Sequence, residues 1–460
     1  MFTLKKNEGF DRLLKMIGEQ NDKNVDHSCE IEKILNSLKL TMKTWKTDTG
    51  MYYIIKYDKT ALGMTQEDFT SIGLLRSVVV DESGNIVSYS PPKSLNINSD
   101  RELHFNNNNI LSPTDKDNTN EWDVEEFVEG TMINLFYSVK GGGWEIATKS
   151  TVGGNVTFFS PKNPKDNIEI REKDTFRNMF FDTCAKIGFE YENLPKDVVY
   201  SFVLQHPKNR IVLPITEASI YLVAVYRIVN TDDKLEVIQH SRDGFIKNII
   251  NCDSIKTPKV LSLHEEGAGS DYTFKNFKKE YASMNSAYNM MGVTFYNMVT
   301  GQRMKLRNPM YEMVKNVRGS EQKIQLQYLT LRHGGHVADY LKSFPEYKSI
   351  FSYHRSLLHS FTRNLHQNYL DCFVFKKKPF AEYPAQYKPH MFVLNKKYIE
   401  ELRENKNSVT FNYVVEFINN LNPGSLLFSL NYVVREHKKE IQRVEEPIND
   451  MTLSSAETPQ

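Results

Sequence analysis

Apolar positions recur along this chain with two periods, and the changes from one to the other mark out its elements. Phe10, Leu13, Leu14 and Ile17 fall three and four apart and stop at Gly18. Ile31, Ile34, Leu35 and Leu38 repeat the pattern, with Asp26 placed to cap that second helix. After a turn at residues 46–50 the spacing becomes that of strands. Residues 51–56 read as one strand, and 75–80 with 86–89 as a hairpin turning at Glu82-Ser83-Gly84-Asn85. Residues 131–139 and 144–149, rich in β-branched and aromatic side chains, form a hairpin about Lys140-Gly141-Gly142-Gly143. Residues 198–205 are almost wholly apolar, as in a buried strand, and 219–229 follow as its neighbour. Residues 292–296 and 302–306 make a last hairpin through Thr300-Gly301. Between these, Asp174 is placed to cap a helix with the face Phe176, Met179, Phe180, Thr183, Cys184 and Ile187, which Gly188 ends.

Beyond Tyr311 the period is helical. Ile350, His354, Leu357, Leu358, Phe361, Leu365 and Tyr369 share one face, Val414, Val415, Ile418 and Leu421 another, and Asn422-Pro423 starts a further helix. Polar stretches predict loops at 106–120, 160–173 and 379–389, and a frayed end at 451–460. Hairpins with flanking helices, then helices alone, predict an α+β fold of antiparallel sheets followed by an α-helical domain. The expected boundaries are 1–320, 321–440, and a disordered tail over 441–460.

Composition adds constraints. Lys+Arg total 58 against Asp+Glu 57, so a net charge of +1 gives no global pull towards nucleic acid, and any such site must be a local patch. The four cysteines (Cys29, Cys184, Cys252, Cys372) are far apart with no C-x-x-C pair, which argues against disulfides and a cysteine zinc site and fits a reducing compartment. The charged start and the absence of a long apolar run predict a soluble, cytoplasmic protein, with no membrane partner.

The chemistry gathers at the hairpin of residues 131–149. Glu129-Gly130-Thr131 open its first strand and Lys149-Ser150 close its second. This stretch resembles the motif I region of covalent nucleotidyltransferases, the superfamily of DNA ligases, RNA ligases and mRNA capping enzymes. It is most similar to the RNA ligase of T-even phages and its relatives in large DNA viruses. That family opens the hairpin with K-x-D-G-[ST], whose lysine attacks ATP. Here the frame reads Phe127-Val128-Glu129-Gly130-Thr131, so the lysine is a phenylalanine. Upstream, Arg76 and Lys93 match the family's arginine at a strand start and its lysine after a proline turn, with Ser77 where glycine is usual. Pro207-Lys208-Asn209-Arg210-Ile211-Val212 resembles the segment between motifs III and IV. The strand before it, Phe202-Val203-Leu204-Gln205, lacks the family's glutamate. Met291-Gly292-Val293-Thr294 stands for E-G-x-V in motif IV, and Lys305-Leu306-Arg307 keeps the two basic residues of motif V.

The resemblance covers roughly residues 40–330 and implies a ligase-type nucleotidyltransferase fold, ATP and Mg²⁺ as cofactors, and RNA as partner. The family's lysine attacks the α-phosphorus of ATP, and the AMP then passes to an RNA 5′-phosphate and is displaced by a 3′-hydroxyl. That first step needs an amine of lowered pKa, cations around the phosphates, and carboxylates for the metal. This chain keeps the cations (Arg76, Lys93, Lys149, Lys305, Arg307) and loses the nucleophile and two acids. Glu129 is left to meet a ribose hydroxyl or a hydrated metal, Gln205 a ribose or base unless it only satisfies its strand end, and no metal ligands are assigned. Phe127 either stacks on a base, worth about 1–3 kcal/mol, or fills the space of the lost lysine.

Three readings follow. The first is a degenerate ligase that binds RNA or nucleotide without lysyl-AMP, in RNA repair or a viral setting, including an infected cell's cytoplasm or a virion. The second is an active ATP-dependent RNA ligase using Lys93, Lys149 or Lys305 instead. The third is a viral scaffold with a vestigial pocket. In the helical region, Lys376-Lys377-Lys378 with Tyr383 and Tyr387 make either a basic, aromatic contact surface or a solvated loop. The histidines His354, His359, His366 and His390 lack metal-ligand spacing.

Overall fold

The computed structural model describes residues 2–3, 8–23, 27–61, 72–97, 122–157, 174–230, 235–246, 250, 252–261, 274–297, 303–319, 321 and 323–437. The loops expected at 106–120 and 160–173, the Thr300-Gly301 turn, the Asp26 cap and the tail at 441–460 lie outside these residues. The described residues divide into two units, one ending at Arg318 and one beginning at Gly319.

The first unit is built on three sheets. In chain order its elements are β1 (Phe2–Thr3), α1 (Glu8–Lys23), α2 (Ser28–Ser37), β2 (Leu40–Thr47), β3 (Gly50–Tyr57), β4 (Val78–Asp81), β5 (Ile86–Tyr89), β6 (Ser94–Asn96), β7 (Trp122–Glu126), β8 (Thr131–Ser138), β9 (Gly143–Ala147), α3 (Phe176–Ile187), β10 (Val199–Gln205), β11 (Ser219–Asn230), β12 (Leu235–His240), α4 (Phe274–Tyr281), β13 (Gly292–Asn297), β14 (Arg303–Arg307) and α5 (Pro309–Arg318). A single helical turn, Arg242–Phe245, follows β12. The large sheet runs β1-β12-β11-β10-β8-β9, a second β2-β3-β4-β5, and a third β6-β14-β13-β7. Every pairing is antiparallel except β14 with β6. Strand β10 is apolar along its length because it is central, flanked by β8 and β11.

Alternation along these strands supplies two apolar layers. On one face of the large sheet, Phe176, Met179, Phe180 and Cys184 of α3 pack on Ile133, Leu135, Phe202 and Leu222. On the other, Phe136, Ala224 and Tyr226 meet the second sheet (Ile54, Val78, Val80) and helices α1 and α2. Each large side chain buried there contributes about 1.5–3 kcal/mol. The third sheet is two-sided. Val124, Val293, Phe295, Met304 and Leu306 line its apolar face. The alternate positions Glu125, Thr294, Tyr296, Arg303, Lys305 and Arg307 therefore share the opposite, polar face.

The structure departs from the sequence pattern in several places. Helix α1 does not stop at Gly18 but continues to Lys23. Gly18 is a packing residue instead, since a Cβ there would lie 2.6 Å from the Ser83 carbonyl oxygen. Its counterpart in the β4–β5 turn is Gly84, at φ +82° and with a Cβ position 2.3 Å from the Leu14 carbonyl oxygen. Gly84→Ala is expected to destabilise the first unit by about 1–3 kcal/mol, read as a lower urea midpoint with an unchanged slope. Helix α3 is capped by Thr175, whose hydroxyl accepts from the Asn178 N–H at 3.2 Å, while Asp174 pairs with Lys208. Gly188 ends it at φ 69°, as expected. Strands β2, β7 and β12 carry too many charged or polar positions to stand out by alternation, and pairing with their neighbours specifies them. Strand β4 begins at Val78 rather than residue 75, and β9 ends at Ala147 rather than 149. Arg76 and Lys149 therefore sit in bends instead of within strands.

The second unit is helical: α6 (Ile324–His333), α7 (Val337–Ser343), α8 (Lys348–Tyr369), α9 (Lys388–Lys397), α10 (Phe411–Asn419) and α11 (Pro423–Leu430). Its spine is α8, which buries Phe351, His354, Leu358, Phe361, Leu365 and Tyr369. Asn422 caps α11 by accepting from the Gly424 N–H at 2.8 Å. His354 is enclosed beside Tyr328, and neither ring nitrogen has a hydrogen-bond partner among the described residues. Burial lowers its pKa, which keeps it neutral. Tyr383 and Tyr387, which the sequence assigns either to a contact surface or to a solvated loop, are both buried. Tyr387 packs on Phe361, and the exposed aromatics beside Lys376–Lys378 are Phe375 and Phe380. Among the described residues no helix is long and apolar enough to cross a membrane.

Candidate functional site

The cations singled out in the sequence come from elements far apart in the chain, and the first unit gathers them. Arg76 lies in the bend before β4. The Ser90 N–H donates to the Ser77 carbonyl at 3.2 Å and the Lys93 N–H to that of Gly73 at 2.9 Å, so the proline turn carrying Lys93 is tied beside Arg76. Lys149 lies just past β9, in a turn closed by the Thr148 N–H donating to the Thr151 carbonyl at 2.8 Å. The second sheet contributes an aromatic floor. The Lys93 and Lys149 ammonium groups lie 5.5 and 5.4 Å from the Tyr57 ring centroid, within cation–π range. Lys56 joins them, donating to the Ser150 hydroxyl at 3.1 Å.

Strand β14 supplies the rest. Arg303, Lys305 and Arg307 are two residues apart and share its polar face. Burial, then the charges of Arg307, Lys93, Arg76 and Arg303, lower the Lys305 amine to about 7. Burial, with Arg76 foremost among the nearby charges, lowers Lys149 to about 8. Burial and then Arg303 bring Arg76 down to about 10, and Lys93 is lowered by burial and by Arg76. Among the described residues, the charged groups that act most strongly on Lys305, Lys149 and Lys93 are all cations. No carboxylate among the described residues forms an ion pair with Arg76, Lys93, Lys305 or Arg303. The contrast is Arg307, which pairs with Glu312 and lies 5.8 Å from the Phe127 ring centroid.

The acids of this region are engaged elsewhere. Glu129 is buried, and its carboxylate accepts from the Val212 and Leu213 N–H groups at 3.1 Å. It also raises the pKa of the Tyr311 hydroxyl, after burial. Glu125 pairs with Arg242, and Glu126 accepts from the Lys259 N–H at 3.1 Å. Gln205 donates to the Glu129 carbonyl at 2.9 Å and accepts from the Ser219 hydroxyl at 3.3 Å, so it ties the end of β10. Gly130 is required by close approach, at φ +151° with a Cβ position 2.5 Å from the Leu204 carbonyl oxygen. In the segment after β10, Asn209 donates to the Thr131 hydroxyl at 2.8 Å and Arg210 to the Val212 carbonyl at 3.0 Å. That segment holds Glu129 in place.

Of the residues read as nucleotide-binding, the structure thus brings Arg76, Lys93, Lys149, Lys305 and Arg307 into one cluster, with Phe127 against Arg307. Glu129, Gly130 and Gln205 belong to a packed joint between β8, β10 and the 206–213 segment. Sequence reading missed Arg303, Lys56 and Tyr57. Extending the β14 alternation by one step would have found Arg303, whereas nothing local marks Tyr57. Next to the cluster, a cavity of about 190 Å³ opens between the large and third sheets, walled by Asp123, Val223, Tyr226, Gln239, Tyr296 and Arg303. Tyr296 donates to Gln239 inside it. Among the described residues no group of three or more histidines, cysteines and acids is placed to hold a metal ion.

No family model matches this chain, and no curated protein sequence does. Solved structures similar to it include a mutant of the Naegleria gruberi RNA ligase with ATP and Mn, at 11% identity and a TM-score of 0.29, covering 42% of this chain and 51% of that one. The same RNA ligase with PPi gives 13% identity, a TM-score of 0.28, and 42% and 50% coverage. A putative ATP-dependent DNA ligase from Aquifex aeolicus gives 14% identity, a TM-score of 0.33, and 81% and 80% coverage. The chain spans about half the length of the Naegleria RNA ligase chains it matches.

Proposed function

We propose that the first unit binds the phosphates of a nucleotide or of RNA and is a ligase-like pseudoenzyme, without lysyl-AMP formation at position 127. One observation carries this reading: Arg76, Lys93 and Lys305 are half-buried and charge-repelled, with no carboxylate partner among the described residues. Holding cations this way costs stability unless an anionic ligand repays it. The adjoining cavity of about 190 Å³ presents polar groups, Gln239, Tyr296 and Arg303 among them, to whatever is attached to those phosphates. Phe127 has no nucleophilic atom, so the step for which the family uses its lysine has no agent there.

A second reading keeps a covalent step and moves it to Lys305. An amine with a pKa of about 7 is neutral part of the time at physiological pH, and the neutral form can attack phosphorus. An N–P bond would form as the bond to pyrophosphate breaks, and the amine would lose its proton. Incubation with ATP labelled at the α-phosphate, with Mg²⁺ or Mn²⁺, followed by denaturing electrophoresis separates the readings. The expected result is no covalent label, together with reversible binding of a fluorescent ATP analogue. A label mapped to Lys305 would establish the second reading instead, and no binding by ATP or RNA would sink both.

A further inference from the structure

We infer that this site takes a run of linked phosphates without a divalent metal, the chain's own cations standing where a metal would bridge the phosphate oxygens. The inference rests on the proposed phosphate site and specifies how that site meets its ligand. A metal-bridged nucleotide is usually held through one or two protein carboxylates beside its own phosphates and water. Among the described residues, most acids around the cluster have other work. Glu125 is held by Arg242, Glu126 by the Lys259 N–H, Glu129 by two backbone N–H groups, and Glu312 by Arg307. Asp123 is exposed on the cavity wall, in the company of Arg242 and Arg303. The side chains of Val203, on the strand beside the hairpin, and of Met291, just before β13, coordinate no hard cation.

The cations fill the opposite role. Arg76, Lys93 and Lys305 come from a bend, a proline turn and a strand, and each is near enough to act on another's charge, so several cations are offered close together. That arrangement suits several phosphates in a row better than one isolated phosphate. A free divalent ion would be repelled by the cluster, and a metal-complexed oligophosphate would bring less negative charge to it.

The test uses the full chain and a fluorescent ATP analogue. Inorganic phosphate, pyrophosphate and tripolyphosphate are titrated as competitors, once in excess EDTA and once in millimolar Mg²⁺. Competition is expected to strengthen about tenfold or more with each added phosphate. Affinity in EDTA should be at least equal to that in Mg²⁺. Competition by ATP and by a short RNA with a 5′-triphosphate, in the same two buffers, distinguishes a free nucleotide from an RNA end as the source of the phosphates. Binding that appears only with Mg²⁺ would overturn this inference and leave the phosphate site standing. Affinity that does not grow with phosphate number would overturn it as well. Failure of every phosphate compound, with and without metal, would remove the phosphate site itself.

Discussion

Replacing Arg76 and Lys305 together with alanine is expected to weaken nucleotide binding by about 10²–10⁴-fold while raising the melting temperature. The two effects have one cause. Each charge-assisted hydrogen bond to a phosphate contributes about 1.5–3 kcal/mol, so losing two costs about 3–6 kcal/mol of binding. In the unliganded protein the same side chains are half-buried among like charges, without carboxylate partners among the described residues, which is a cost to folding. Deleting them relieves that cost, and a unit of this size gains about 2–4 °C for each kcal/mol relieved. A binding site held in a repulsive state before its ligand arrives trades stability for function in this way. Titration calorimetry and a thermal scan of the double variant check both halves. A fall in melting temperature with binding retained would show that the cations hold the fold and not a ligand.

Binding of the same ligands should take up protons and weaken as the pH rises from about 7 towards 10. Lys305 and Lys149 sit at about 7 and about 8 in the free protein, so both lose their charge across this range. A phosphate beside them favours the protonated form and pulls each back towards the ordinary lysine value of about 10.4. The complex therefore holds more protons than its separated parts over that window. Affinity falls by up to about tenfold per pH unit for each lysine that must be recharged. Calorimetry at pH 8.5 in buffers of different ionisation enthalpy should report net proton uptake. Identical heats in all buffers would refute the coupling. The sign for folding follows from the same values. An unfolded Lys305 titrates near 10.4 and the folded one near 7, so between these values the unfolded chain holds more protons. Stability should therefore rise with pH across that interval. Below about pH 7 both states are charged and the burial penalty is present in full. Lys305→Met should flatten this dependence.

Local pattern was enough for much of the architecture. The β8–β9 hairpin, the apolar run of β10, the β13–β14 pair and helix α3 with its left-handed Gly188 were legible because each is specified by neighbours a few residues away. Strands β2, β7 and β12 were not. Their side chains are mixed, and what makes them strands is hydrogen bonding to partners elsewhere in the chain. Gly18 misled for a similar reason. A glycine within a helical pattern reads as a stop, and only the approach of Ser83 shows that it makes room.

The cations at 76, 93, 149, 305 and 307 could be picked out singly because they occupy recognisable places in a motif order. The half-burial and mutual repulsion of Arg76, Lys93 and Lys305, with no carboxylate partner among the described residues, could not be read from order, since these depend on three sheets meeting. The same limit applied to the acids. Glu129 in its motif looked available to a ligand, and the 206–213 segment folding back over it gives its carboxylate to two backbone N–H groups. By itself the sequence determined an α+β chain, a phenylalanine at position 127 where the family it resembles has its lysine, and a set of basic residues in motif order. Tertiary structure decided which of those residues share one site and which are spent on packing. Charge and burial act through space, and neighbours in space are set only when the sheets close.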